Sequence, residues 1–305
     1  MSTTTEYPRA HADSWRVVVF TTSGEGGAYS FLDGVLQSHG HRIVGVVTSP
    51  GPRGRRSEDY RSVVEAAEPE VEVIISTHPR RWAAMVAPMR PDLIVSAAFP
   101  MRIPKDVIEL PRLGAINGHP ALLPKYRGPN PQGWVFRNDD AETGYTIHRL
   151  ACDFDAGPIL AQARVPVCDE DDTGSVFERL MSLLPGVFAE AFARVARGEP
   201  GEVQDEALAS GAPFFEDCWQ RIDWSRPART IHNQVRSLFE LPGQPAGGVA
   251  EIEGSRVRIL KTRLVVCPSG GSGRYAPGTV VGREGGELLV QCGDGALRVL
   301  EWGAV

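Results

Sequence analysis

An asparagine and a histidine stand one residue apart in G-A-I-N-G-H-P-A-L-L-P-K-Y-R-G, residues 114–128. An apolar run leads into them. If that run is a strand, its two-residue alternation sends Asn117 and His119 to the same face. An amide N–H can be donated to a developing oxyanion, and an imidazole with an ordinary pKa of about 6.5 can carry a proton near neutral pH. Pro120, Pro124 and Gly128 stiffen or bend the chain beyond His119, so the segment reads as a held ledge. The same residues also describe a capped strand end with a hydrogen-bonded core histidine, and spacing alone does not separate the two. Further on, C-D-F-D-A-G-P-I-L, residues 152–160, sets Asp153 and Asp155 close to Gly157. A carboxylate there could fix a histidine tautomer, relay a proton or order a water.

These residues need a scaffold, and the sequence supplies one. Residues 16–20, R-V-V-V-F, form a continuous β-branched run, the pattern of a buried parallel strand. The turn T-T-S-G-E-G-G-A-Y-S comes next, then a helical pattern over residues 30–39. Strand, glycine-rich turn and helix could make an anion site. The G-E-G-G spacing is not the dinucleotide fingerprint, which argues against a dehydrogenase. Further strands are expected at 43–48, 71–76, 92–99 and 114–117. Ligands of such sheets bind beyond the carboxyl ends of the strands, which is where P-M-R-I-P (100–104) and the ledge fall. A short helix is expected at 132–138 and a strand at 143–149, whose His148 reads as packed or solvent-facing. The next strand is expected at 159–167. Asp172 or Thr173 then caps a long helix, kinked at Pro185, that reaches Arg197 and stops at Gly198. The expected organisation is a disordered tail at 1–15, an α/β domain at 16–198 and a linker at 199–220. Residues 221–305 read as a small β-barrel of oligonucleotide-binding type, with strands at 249–252, 256–261, 279–281, 287–292 and 296–302.

Taken together, N-G-H-P-A-L-L-P-K-Y-R-G and the later D-F-D-A-G-P-I-L-A-Q resemble the 10-formyltetrahydrofolate-dependent formyltransferase family. The resemblance covers residues 15–197 well and extends more loosely to the C-terminus. It implies a Rossmann-like, mostly parallel α/β sheet, with 10-formyltetrahydrofolate as formyl donor. It also implies catalytic roles for Asn117, His119 and Asp155, and the preference for Asp155 over Asp153 comes from the resemblance alone. Met101, Arg102 and Ile103 match the segment that surrounds the pterin, with Asp153 and Gly157 added from the aspartate loop. Ser23, Gly24 and Gly26 match the turn beside the acceptor. R-I-D-W-S-R-P-A-R-T-I-H-N-Q-V-R is similar to the interdomain segment of methionyl-tRNA formyltransferases. Gly118 departs from the pattern, in which an apolar residue is usual, and implies a loosened ledge or extra room for substrate.

Composition bears on the acceptor. The chain has 305 residues, a formal charge of −6 and no overall basic field for nucleic acid. Residues 201–305 hold 11 Arg+Lys against 13 Asp+Glu, a difference of −2, and from residue 242 onward the aromatics are Tyr275 and Trp302. This balance points away from nucleic acid and toward a small-molecule amine: an amino sugar nucleotide, an amino-acid derivative or a hydroxylamine. Methionyl-tRNA is the alternative acceptor, supported by the basic P-R-G-R-R loop with Arg53, Arg55 and Arg56. A formyl hydrolase and a non-catalytic folate-binding protein are further alternatives. Cys152, Cys168, Cys218, Cys267 and Cys292 have no metal or disulfide spacing and read as buried thiols, so no metal is expected. No stretch reads as a membrane span or leader, and the expectation is a soluble cytoplasmic protein with homodimerisation open to its C-terminal domain.

Overall fold

The structure, a computed structural model, describes residues 14–24, 27–52, 57–239, 246–265 and 275–305. Its backbone contacts divide the chain into two compact units that are not contiguous in sequence. One comprises Met1–Pro129, Gly144–Arg164 and Leu180–Gly211, the other Asn130–Thr143, Val165–Arg179 and Ala212–Val305.

A seven-stranded sheet runs through the first unit. Its strands are β1 (Arg16–Phe20), β2 (Arg42–Thr48), β3 (Glu72–Ile75), β4 (Leu93–Ala97), β5 (Ala115–His119), β6 (Glu142–Arg149) and β7 (Ile159–Pro166), in the order β3-β2-β1-β4-β5-β6-β7. The first five are parallel, and β6 runs antiparallel to β5. Helices α1 (Ala28–Ser38), α2 (Tyr60–Ala66), α3 (Trp82–Val86) and α4 (Lys105–Ile108) connect the early strands. Strands covered on both faces can be apolar throughout, which is why Val17, Val18, Val19 and Phe20 are all fully buried. Val18, Phe20, Val47, Ile94 and Ala115 pack with Trp82, Val86 and Val107 into one cluster. Fully burying each such aliphatic side chain contributes about 1.5–3 kcal/mol. The strand order reverses between β1 and β4, so the loops at their carboxyl ends flank a crevice beside β5.

Three further helices are α5 (Pro131–Arg137), α6 (Thr173–Ala196) and α7 (Ala228–Ser237). At the start of α6 the Asp172 Oδ1 accepts from the Ser175 N–H at 2.9 Å. The helix continues through Pro185, and Gly198 at φ +71° lies just past its end. The second unit holds a five-stranded antiparallel sheet of β8 (Gly248–Ile252), β9 (Ser255–Leu264), β10 (Val280–Glu284), β11 (Glu287–Gln291) and β12 (Ala296–Ala304), in the order β10-β11-β12-β9-β8. Ile231 and Val235 of α7 join Ile252, Val257, Ile259, Leu288, Val290, Leu297 and Val299 in its core.

Residues 199–211, expected as the first part of a linker, are built into the first unit. Glu202 and Ile159 exchange backbone hydrogen bonds of 2.8 Å. Arg127 binds Gln204 and Glu206. The cysteine expectation needs correction: Cys152, Cys168 and Cys218 are exposed and Cys292 is buried, all of them free thiols. The three exposed ones sit on connecting segments, where backbone polar groups favour the surface; Cys267 lies outside the described residues. Among the described residues no helix is long and apolar enough to cross a membrane.

Candidate active site

Strand β5 delivers Asn117 and His119 to one face, as its period requires. The antiparallel register then adds a residue that β5 does not carry: His148 of β6 lies directly opposite Asn117, and Thr146 opposite His119. Directly opposed residues share a face, so His148, fully buried, joins the ledge. Asp155 arrives from the loop after β6 in the left-handed region, at φ +54°. Two other non-glycine residues with positive φ lie close by in the fold, Ala98 (+50°) just past β4 and Tyr126 (+63°) in the loop after β5. Each such residue costs about 1–2 kcal/mol, and strain of this kind concentrates at functional sites.

The hydrogen bonds assign the protons. His119 Nε2 lies 2.8 Å from the Tyr126 carbonyl, which can only accept, so the neutral ring carries its proton there. Its Nδ1 then faces Asp155 Oδ2 at 3.6 Å. Burial lowers the His119 pKa, more than the Asp155 charge raises it, so the ring is neutral at pH 7 with an open lone pair on Nδ1. His148 Nδ1 donates to the Arg149 carbonyl at 2.8 Å, and its Nε2 accepts from Asn117 Nδ2 at 3.1 Å. Asn117 Nδ2 also reaches Asp155 Oδ1 at 3.4 Å. Burial alone would raise the Asp155 pKa, but the charge that His119 takes up and hydrogen bonds to the carboxylate, the Gly128 N–H at 2.9 Å among them, outweigh it and hold the carboxyl at about 2. The site is therefore an amide donor, a neutral imidazole and an ionised carboxylate, all within hydrogen-bonding reach or close to it.

Supporting contacts fix the two loops. Thr146 Oγ1 donates to the Ala121 carbonyl at 2.6 Å, and Gln162 bonds the Leu123 carbonyl. Gln204, buried, donates from Nε2 to the carbonyls of Asp155 and Gly157, both at 2.7 Å, while Arg127 holds its Oε1. Gln204 had no signal in sequence, because it sits in a stretch with linker composition. At Gly157 a Cβ would come within 1.8 Å of the Arg149 carbonyl, so close backbone approach explains that glycine. Gly118 is explained too. A Cβ there would lie 2.4 Å from the hydroxyl and 2.9 Å from Cε1 of Tyr145. Tyr145 and Gly118 belong to the face opposite Asn117 and His119, so the missing side chain leaves no substrate space and its volume is filled by a buried ring.

Of the residues expected around the pterin, Ile103 is packed into the core cluster with Phe20 and Trp82. Met101 Sδ accepts from Ser49 Oγ at 3.2 Å. Arg102 bonds the Cys152 carbonyl and, at 2.6 Å, Asp153 Oδ1, so the loop after β4 and the aspartate loop meet. The expected acceptor turn is engaged by protein groups: Ser23 Oγ accepts from the Ala28 N–H at 3.3 Å, and the Gly24 N–H donates to Ser62 Oγ of α2 at 3.1 Å. Gly26 and the basic loop of Arg53, Arg55 and Arg56 lie outside the described residues. No cluster of three or more His, Cys, Asp or Glu suited to a metal occurs among the described residues.

Residues 15–192 match the family described as formyl transferase, and residues 216–303 match formyl transferase, C-terminal domain. The chain belongs to the formyl transferase family. It is a formyl-transferring enzyme that uses formyl-folate. A methionyl-tRNA formyltransferase of Pelobacter propionicus is 36% identical over 273 residues, spanning 87% of this chain and 82% of that one. That of Pseudomonas paraeruginosa is 35% identical over 265 residues, spanning 85% and 82%. Two solved structures share the fold of this formyl transferase at low identity. HypX from Aquifex aeolicus in complex with tetrahydrofolic acid has a TM-score of 0.65 at 18% identity, covering 95% of this chain and 44% of that one. An N-formyltransferase from Helicobacter canadensis, in complex with folinic acid and dTDP-3-aminofucose, has a TM-score of 0.68 at 16% identity, covering 95% and 100%.

These relatives overturn the expectation that the formyl transferase acts on a small-molecule amine with nucleic acid disfavoured. The homologues at 33–36% identity, spanning most of both chains, are named for methionyl-tRNA. The charge count misled because net charge bears on solubility and non-specific association, not on which acceptor an enzyme recognises. Strand β9 carries Arg256, Arg258, Lys261 and Arg263, but Glu251 of β8 lies opposite Arg256 and Glu301 of β12 opposite Lys261.

Proposed function

We propose that the protein transfers the formyl group of 10-formyltetrahydrofolate to the amino group of methionyl-tRNA in the cytoplasm. The observation that carries the acceptor is the similarity to proteins of that name across both the catalytic and C-terminal regions.

The residues fit a folate donor. Residues 98–104 after β4 take no part in a helix or strand, so their backbone groups suit a hydrogen-bonding heterocycle, and the adjoining apolar cluster suits its flat faces. The donor supplies an activated formyl carbon on N10. When the amine attacks that carbon, the C–N10 bond breaks and one proton passes from the attacking nitrogen to the leaving one. Asn117 donates its Nδ2 hydrogen to the formyl oxygen as negative charge develops there. Its 3.4 Å contact with Asp155 is the weaker of its two hydrogen bonds and the one an oxyanion can replace. A single donor of this kind stabilises the transition state by roughly 3 kcal/mol. His119, neutral, takes the amine proton on Nδ1, and ionised Asp155 at 3.6 Å stabilises the resulting imidazolium before the proton goes on to N10. Formylation of methionyl-tRNA with matched release of tetrahydrofolate tests the reading. Release without a formylated product would make the protein a hydrolase.

A further inference from the structure

His148 is a buried titratable group that the reaction scheme leaves unused. Its Nδ1 is committed to the Arg149 carbonyl at 2.8 Å, so the neutral ring presents a lone pair at Nε2. That lone pair and Asp155 Oδ1 lie 3.5 Å apart, and both face the Asn117 amide, at 3.1 and 3.4 Å. Two acceptors side by side attract an NH2 group and repel a carbonyl oxygen. Asn117 alone could turn over about its last torsion, because its amide nitrogen and oxygen are nearly isosteric. Between these acceptors it has one favourable orientation. Asp155 alone is a weak guide at 3.4 Å, and its grip loosens when the formyl oxygen competes for the same hydrogen. His148 has no such competitor: it is fully buried, anchored by its other nitrogen, and set opposite Asn117 by the β5–β6 register.

We propose that His148 is a positioning residue that fixes the orientation of the Asn117 amide, keeping an N–H aimed at the developing oxyanion. The inference rests on the formyl-transfer reading for the role of Asn117 and is independent of which amine accepts.

The test pairs kinetics with a spectroscopic readout. His148→Met keeps bulk but removes the acceptor, and kcat is expected to fall roughly 10–100-fold with KM for folate and acceptor within about twofold. His148→Gln returns an acceptor near Nε2 and should recover most of that loss. In an Asn117→Ala background His148→Met should have little further effect, because the group it orients is gone. Equal losses in both backgrounds, or no rescue by Gln, would overturn the proposal. If the Met variant fails to fold, imidazole 15N shifts of the wild-type protein decide. An unprotonated Nε2 coupled to the Asn117 side-chain N–H is expected, and a protonated Nε2 overturns the assignment. The shifts need no acceptor, so failure to formylate methionyl-tRNA would count against the acceptor reading and leave this one standing or falling separately.

Discussion

Gly118→Ala is the most informative single change near the ledge, because its cost can be worked from the geometry. The added Cβ would lie 2.4 Å from the Tyr145 hydroxyl, 2.9 Å from Cε1 and 3.1 Å from Cζ. Ordinary contact begins near 3.4 Å, so the buried ring must retreat by about 1 Å or β5 must bow. Overpacking of this size costs typically about 1–3 kcal/mol. Gly118 is not among the glycines with positive φ, so the alanine also gains about 0.5 kcal/mol by restricting the unfolded chain. The net expectation is a loss of about 0.5–2.5 kcal/mol in urea unfolding monitored by a probe in the first unit. Turnover should fall as well, since a displacement of about 1 Å at Asn117 or His119 can cost up to about 100-fold. Tyr145→Phe removes the nearest atom and should relieve part of the cost, while Tyr145→Leu should remove nearly all of it. A coupling energy of at least about 1 kcal/mol between positions 118 and 145 is therefore expected. Equal stability of Gly118→Ala and wild type, with no coupling to Tyr145, would refute the packing argument.

His119→Ala and Asp155→Asn should each lower kcat roughly 10²–10⁴-fold while folate affinity, measured by fluorescence quenching, changes little. Retained turnover in both would remove these residues from the chemistry. His41 provides a pH test: its ring stacks on Trp15 at 4.0 Å and accepts the Trp15 N–H at 3.3 Å, and burial lowers its pKa to about 4. A histidine depressed below its unfolded value of about 6.5 contributes stability that is complete above that pH and is lost as pH falls toward about 4. Urea midpoints of wild type should drop across that window more steeply than those of His41→Phe, and parallel curves would contradict the assignment.

The parts of this fold that were legible in sequence were those written locally. Strand β1 is a continuous run of Val and Phe after Arg16, a short apolar run leads into β5, and Asn117 and His119 share a face by period alone. Asp155 is recognisable because its loop carries a known pattern. His148 was missed because its place beside Asn117 is set by cross-strand register, which no single strand encodes. Gln204 was missed because a polar stretch with Gly, Pro and Glu carries no sign of what it will bond. Gly118 was read as a loosened ledge or as room for substrate, since the ring that fills its volume is recognisable only when β6 is laid beside β5. The acceptor was misjudged because a summed charge says little about which acceptor an active site recognises.

The central claim is tested most directly by incubating the purified protein with 10-formyltetrahydrofolate and methionyl-tRNA, monitoring formylmethionyl-tRNA and tetrahydrofolate together. The account predicts that the two appear in equal amounts, that product falls steeply with added salt, and that both are lost in Asp155→Asn. Tetrahydrofolate release at the same rate without tRNA, or formylation of free amines with none on methionyl-tRNA, would contradict it.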